Sequence, residues 1–212
     1  MGRRAKFSRA QLQTAALAIV DAEGLAGLSM RTLATALGTG PMTIYNHVTD
    51  RADLDVLVVE AVLATVRRPR SRADDWRAET RDIATAMWRA VRAHPHVIPL
   101  VMTRRSRSPA LLDASEAMLA ALARSGRSGQ SLLVAFRAVT ALVMGFAQVE
   151  LAGPLSISAG ETPKAVIGRM RALPKEQYPR LIEIAGAALT SKAEREFRAG
   201  LDALLAGLAT EA

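Results

Sequence analysis

Residues 29–51, SMRTLATALGTGPMTIYNHVTDR, are the stretch whose reading decides the fold. Ser29 is a favoured N-cap type, because its hydroxyl can accept from an amide of the first helical turn. Leu33, Ala34 and Leu37 follow at helical spacing, and Gly38 stands where glycine is preferred just beyond a helix end. The first helix therefore stops at Leu37. Gly40 and Pro41 open a second, since proline at the first helical position gives up only an amide that would be unpaired anyway. Ile44 and Val48 lie four apart and can pack inward, which leaves Met42, Thr43, Asn46 and His47 around the rest of a short, mostly polar helix. Two helices about a tight turn form the unit that lays its second helix in the major groove of DNA.

On either side the apolar spacing predicts further helices. Ser8 with Gln11 has the form of a capping box, and Leu12, Ala15, Ala16, Ile19 and Val20 predict a helix to about Glu23, ended by Gly24. It offers an apolar face on which the reading unit can pack. Beyond that unit, Thr49 or Asp50 can cap a helix to about Val66, with Leu54, Leu57, Val58, Ala61 and Val62 on one face. The arginine-rich segment 67–72 reads as a solvated connection broken by Pro69. Asp74 and Asp75 begin a long helix through Ile83, Met87, Trp88 and Val91, which ends before Pro95 because the residue preceding proline avoids helical dihedrals. A short helix covers His96 to Met102, and after the basic turn 104–108 another carries Leu111, Leu112, Met118, Leu119 and Leu122.

The most apolar helix runs over 130–152, with the small residues Ala138, Ala141 and Gly145 in a stripe that lets another helix approach closely. Residues 153–163 form the longest loop, 164–173 and 175–189 are weaker helical patterns, and Ser191 with Glu194 begins a last helix bearing Phe197, Leu201, Leu204, Leu205 and Leu208. No strand pattern and no repeat interrupts the series. The expectation is an all-α fold of nine or ten helices. A three-helix, helix-turn-helix DNA-binding domain occupies 1–50, and a larger helical ligand-binding and dimerisation domain occupies 51–212.

Composition narrows the function classes. A net charge of +8 and a pI near 10.9 suit a polyanionic partner, and the basic segment 2–7 is of the kind that lies along DNA. The absence of cysteine removes disulfides and cysteine-ligated zinc, and fits a reducing compartment such as the cytoplasm. The basic start is followed by no apolar run of the kind a signal peptide needs. The longest apolar stretch, Ala138 to Ala147, is far shorter than the ~20 residues that span a bilayer, so no membrane partner is expected. His94 and His96 flank Pro95 but would need distant carboxylates to complete a metal site, and no metal or cofactor is expected. Neither a zinc-protease motif, a di-metal Glu-x-x-His pair, a phosphate-binding glycine loop nor a cysteine nucleophile occurs, which argues against an enzyme.

With LGTGPMTIYNHVTDRADL (37–54), GLSMRTLATALG (27–38) and, more loosely, FRAGLDALLAGL (197–208), the chain resembles the TetR family of bacterial transcriptional repressors. The resemblance implies a site on the turn and second helix: Thr39, Gly40, Pro41, Met42, Thr43, Tyr45, Asn46 and His47, with Arg31 before them and Arg51 after. Arg31, Pro41, Met42 and Asn46 match positions that face bases. Arginine can bond guanine O6 and N7 together, asparagine can bond adenine bidentately, and Met42 can touch a thymine methyl. Thr43, Tyr45, His47 and Arg51 match positions that hold phosphate. Asn46 departs from the bulky aromatic common there in the family, which puts the family's usual contact in doubt.

A single recognition helix selects a site poorly, so a homodimer reading a pseudo-palindromic double-stranded operator is expected. The resemblance places its interface on helices near 130–152 and 191–209. It also implies a small, largely apolar effector, for which Ile83, Met87, Met102, Met118, Thr140 and Met144 are the candidate lining residues. The alternatives are a constitutive DNA-binding protein without an effector and, less favoured, an all-helical small-molecule enzyme.

Overall fold

The computed structural model describes residues 7–64, 66, 75–103, 108–152, 160–188 and 190–210. The basic arm 2–6, the connection 67–72, the turn 104–107 and residues 153–159 of the long loop lie outside the described residues. Among the described residues the chain is all-α, with eleven α-helices and one 3-10 turn and no strand. The count exceeds the nine or ten expected because every separate helical stretch folds as its own element, the short ones included. Two compact units divide the chain, Met1–Arg124 and Ser125–Ala212.

The first unit contains α1 (Arg9–Gly27), α2 (Met30–Ala36), α3 (Pro41–Tyr45), α4 (Arg51–Leu63), α5 (Trp76–Ala93), the 3-10 turn Pro95–Val97, α6 (Ile98–Thr103) and α7 (Pro109–Ala123). Ser8 and Gln11 form the expected capping box at the start of α1, and Leu12, Ala16, Ile19 and Val20 are its buried face. At Gly24 the helical dihedrals break, with φ 71° and ψ −177°, a conformation open to glycine because it lacks a Cβ. One further turn carries the chain to Gly27, so the helix is kinked where the sequence places its end.

The main departure lies in α4. Its spacing predicts one apolar face, yet every residue from Leu54 to Glu60 is buried, with Val62 and Leu63. Burial all round follows from its position, since α4 packs against α1, α5, α6 and α7. The two carboxylates enclosed with it are bonded: Asp55 to the Nε of Arg51 at 3.1 Å, and Glu60 to the Nε of Arg9 and the Nε2 of Gln13, both at 2.8 Å. Because α4 lies along α1, the reading helices share a compact unit with α4–α7, and the packing boundary falls at Arg124.

The second unit contains α8 (Gly129–Ala152), α9 (Pro163–Arg171), α10 (Pro179–Ala188) and α11 (Ala193–Thr210). Packing pairs α8 with α11 and α9 with α10. The rings of Phe146 and Phe197 meet edge to face at 5.7 Å, and a Cβ on Gly200 would stand 3.1 Å from Phe146. The close approach of these helices thus rests on Gly200 of α11, whereas a Cβ on Gly145, in the expected small-residue stripe, would meet open space. Buried Arg127 reaches from the turn before α8 to the carbonyl of Leu208 and, at 3.0 Å, to the hydroxyl of Ser125.

The apolar reach of α8 exceeds the run 138–147. Residues Gly129–Val149 of α8 are long and apolar enough to cross a membrane by length and composition. The uninterrupted apolar run underestimates this helix, because it continues through isolated polar residues and a single charge, Arg137. Its exposed side carries Leu133, Val134 and Val149.

Candidate nucleic-acid interface

The turn between α2 and α3 is built by local hydrogen bonds that the residue types dictate. Ser29 caps α2: its hydroxyl accepts from the Thr32 amide at 3.1 Å, and its own amide donates to the Thr32 hydroxyl at 2.8 Å. At the other end Gly38 has φ 62°, the Thr39 amide donates to the Ala34 carbonyl at 2.9 Å, and the Gly38 amide donates to that of Thr35 at 3.1 Å. These two bonds are the Schellman closure, which needs left-handed backbone at the glycine. Gly40 then occupies the N-cap of α3 and Pro41 its first position, as the sequence predicts.

With only five residues, α3 cannot be stable by itself, and tertiary burial has to hold it. Ile44 is 0% and Val48 1% exposed, and each such side chain contributes about 1.5–3 kcal/mol when fully buried. They fix which face turns outward. Met42 is 76% and Tyr45 50% exposed, Pro41 and Asn46 are exposed, and Thr43 and His47 are half-buried. Asn46 is the C-cap of α3, so it projects from the helix end, where the departure from a bulky aromatic shortens the apolar surface. The Thr39 hydroxyl donates to that of Thr43 at 3.0 Å, which ties the turn to the helix. Arg31 is exposed on α2. The structure therefore brings Thr39, Gly40, Pro41, Met42, Thr43, Tyr45, Asn46 and His47 together on one short segment beside α2.

Arg51 stands differently from the rest. Its Nε donates to Asp55, one terminal nitrogen to the Leu28 carbonyl and the other to the Leu25 carbonyl at 2.8 Å. Of these partners only Asp55, four residues along the same helix, could have been anticipated from spacing. The histidines of the 3-10 turn hold α1: Nδ1 of His94 lies 2.9 Å from the Asp21 carboxylate, and Nδ1 of His96 lies 3.0 Å from the Val20 carbonyl. Neither contact has a local signal, because the partners are more than seventy residues away.

The effector candidates fall on both units. Ile83, Met87 and Met118 are buried in the first, where Met102 is 48% exposed. In the second, Met144 is buried and the Thr140 hydroxyl donates to the Phe136 carbonyl at 2.8 Å. A depression of about 570 Å³ lies elsewhere, along Lys192, Glu194, Arg195, Arg198, Ala199 and Asp202. Open and charged, it lacks the enclosed apolar character of a small-molecule site.

Comparison with known proteins places this geometry. Residues 68–212 match the family profile described as the tetracyclin repressor-like, C-terminal domain. An HTH-type transcriptional regulator from Saccharopolyspora erythraea is 31% identical over 204 residues, covering 95% of this chain and 84% of the relative. The HTH-type transcriptional repressor DrrR1 of Streptomyces coeruleorubidus is 33% identical over 138 residues, which are 65% of this chain and only 51% of DrrR1. Among solved structures, the Streptomyces coelicolor TetR family protein ActR in complex with actinorhodin superposes with a TM-score of 0.76 at 27% identity, covering 98% of this chain and 99% of ActR. A family match over most of the chain, a relative aligned along almost all of it and an outward-facing helix-turn-helix agree: the chain belongs to the TetR family of transcriptional regulators.

Proposed function

We propose that this regulator is a repressor that binds a pseudo-palindromic operator as a homodimer in the cytoplasm and is released by a small, largely apolar effector. The observation that carries the reading is α3 with the turn after it, where Ile44 and Val48 are buried so that Pro41, Met42, Tyr45 and Asn46 face outward. Arg31, Pro41, Met42 and Asn46 discriminate base edges, while Thr43, Tyr45 and His47 hold the phosphate backbone, with Thr39 and Gly40 beside them in the turn. Residues 1–50 do the reading and 51–212 the sensing and pairing, a division of labour that need not follow the packing boundary.

The dimer reading is supported by α8, whose exposed side bears Leu133, Val134 and Val149, large apolar groups that a second copy would cover. The effector reading is supported by similarity to ActR, which is known in complex with actinorhodin, and by the adaptable side chains of buried Met87 and Met118. Effector release requires the ligand to favour one arrangement of the two reading heads over another, since equal affinity shifts nothing.

Selection from a random duplex library tests the first part, with enrichment of an inverted repeat expected; enrichment of no sequence would refute it. Sedimentation should give twice the 22.6 kDa chain mass. A screen of small apolar compounds for operator release together with a melting shift tests the effector.

A further inference from the structure

We propose that Arg51 is a positioning residue of the reading unit, one that sets the angle of α2 and α3 by clamping the segment Leu25–Leu28, and not a phosphate contact. The role rests on the DNA-binding reading above. A guanidinium carries five N–H donors in a rigid fork, and here the fork already meets three intrachain acceptors. Two of them belong to the end of α1. Leu25 lies in its last turn and Leu28 is its C-cap, where carbonyls have no helical amide to accept from and stand at the negative end of the helix dipole.

Side chains from α2 and α4 satisfy that segment. The Leu25 and Leu28 carbonyls accept from Arg51 of α4, and the Gly27 carbonyl accepts from the Thr32 hydroxyl of α2 at 2.8 Å. Leu28 is fully buried, and the next residue is Ser29, the N-cap of α2. A clamp at this point controls where α2 begins, and through the Gly38 turn it controls where α3 points. The third acceptor, Asp55, is itself 3% exposed and anchors the guanidinium to α4. Three of the five N–H donors are committed to these acceptors, and moving the guanidinium toward a phosphate would strain its bonds to two backbone carbonyls.

Arg51→Lys separates the two roles, since lysine keeps the charge but cannot span acceptors lying in three directions. Two measurements on the full-length chain decide. In the free protein, amide hydrogen exchange over residues 25–33 should quicken in Arg51→Lys; unchanged exchange would overturn the clamp. With the strongest duplex recovered from random-library selection, Arg51→Lys and Arg51→Ala should both lose affinity by roughly ten-fold or more, the scale of a lost charge-assisted hydrogen bond. The slope of log affinity against log salt should stay at the wild-type value in both. Near-wild-type binding by the lysine variant, or a slope lowered by about one in the alanine variant, identifies a phosphate contact and refutes the proposal. Should the wild-type chain select no duplex, the DNA-binding reading fails, and the exchange experiment still decides the clamp.

Discussion

Thr80→Val should make the protein more stable. The Thr80 side chain lies on α5 at 0% exposure, and its hydroxyl has no hydrogen-bond partner among the described residues. A hydroxyl taken out of water and left unpaired costs about 1–3 kcal/mol, whereas the isosteric methyl of valine carries no such penalty. Helix propensity changes little, because threonine and valine are both β-branched and rank together. Packing is conserved, because the two side chains have nearly the same shape. The expected gain is therefore about 1–2 kcal/mol. For a chain of this size each kcal/mol moves Tm by roughly 2–4 °C. Calorimetry of Thr80→Val beside wild type reads this directly. Thr85, buried at 5% with a hydroxyl in the same condition, provides an independent repeat. A lowered Tm in Thr80→Val would mean that the hydroxyl holds a group essential to the packing of α5, and the reasoning would be wrong.

Other substitutions test the reading unit and the second unit. Ile44→Ala removes one of the two side chains that seat the five-residue α3, and should cost about 2–5 kcal/mol by denaturant unfolding, with loss of duplex binding. Arg31→Ala should relax preference at one base pair of the selected site by about 1–3 kcal/mol, read by competition among single-base variants. Arg127→Ala frees the Leu208 carbonyl and should weaken the hold on the last turn of α11 by about 1.5–3 kcal/mol. Hydrogen exchange along residues 193–210 measures it, and protection equal to wild type would show that the guanidinium contributes nothing there.

The reading unit was largely legible before folding because its determinants are local. Ser29 and Thr32 lie three residues apart, Gly38 adjoins the helix it ends, Pro41 begins the next, and Ile44 and Val48 are one helical turn from each other. Nearest-neighbour chemistry decides caps and turns, so a sequence displays them. Legibility failed for α4, whose apolar pattern suggests one buried face. Its two buried acids, Asp55 and Glu60, are accommodated only because Arg51, Arg9 and Gln13 are brought to them. Within the chain the close approach of α8 and α11 rests on Gly200, whose lack of a Cβ the apolar spacing of α11 does not advertise.

By itself, then, the sequence determined the order of the helices, the helix-turn-helix and the outward face of α3, which depend on residues within a turn or two of one another. Some helix ends moved by a few residues, as α1 runs past Gly24 to Gly27 and α10 begins at Pro179. Tertiary structure alone decided what Arg51, Glu60, His94 and His96 do. The carbonyl partners of Arg51 lie 23 and 26 residues back, and the partners of the two histidines 73 and 76 residues back. Three of those four acceptors are backbone carbonyls. Every residue carries a carbonyl, so its need for a donor leaves no mark in the sequence; for Leu25 and Leu28 the need arises where α1 ends and Leu28 is buried beyond it.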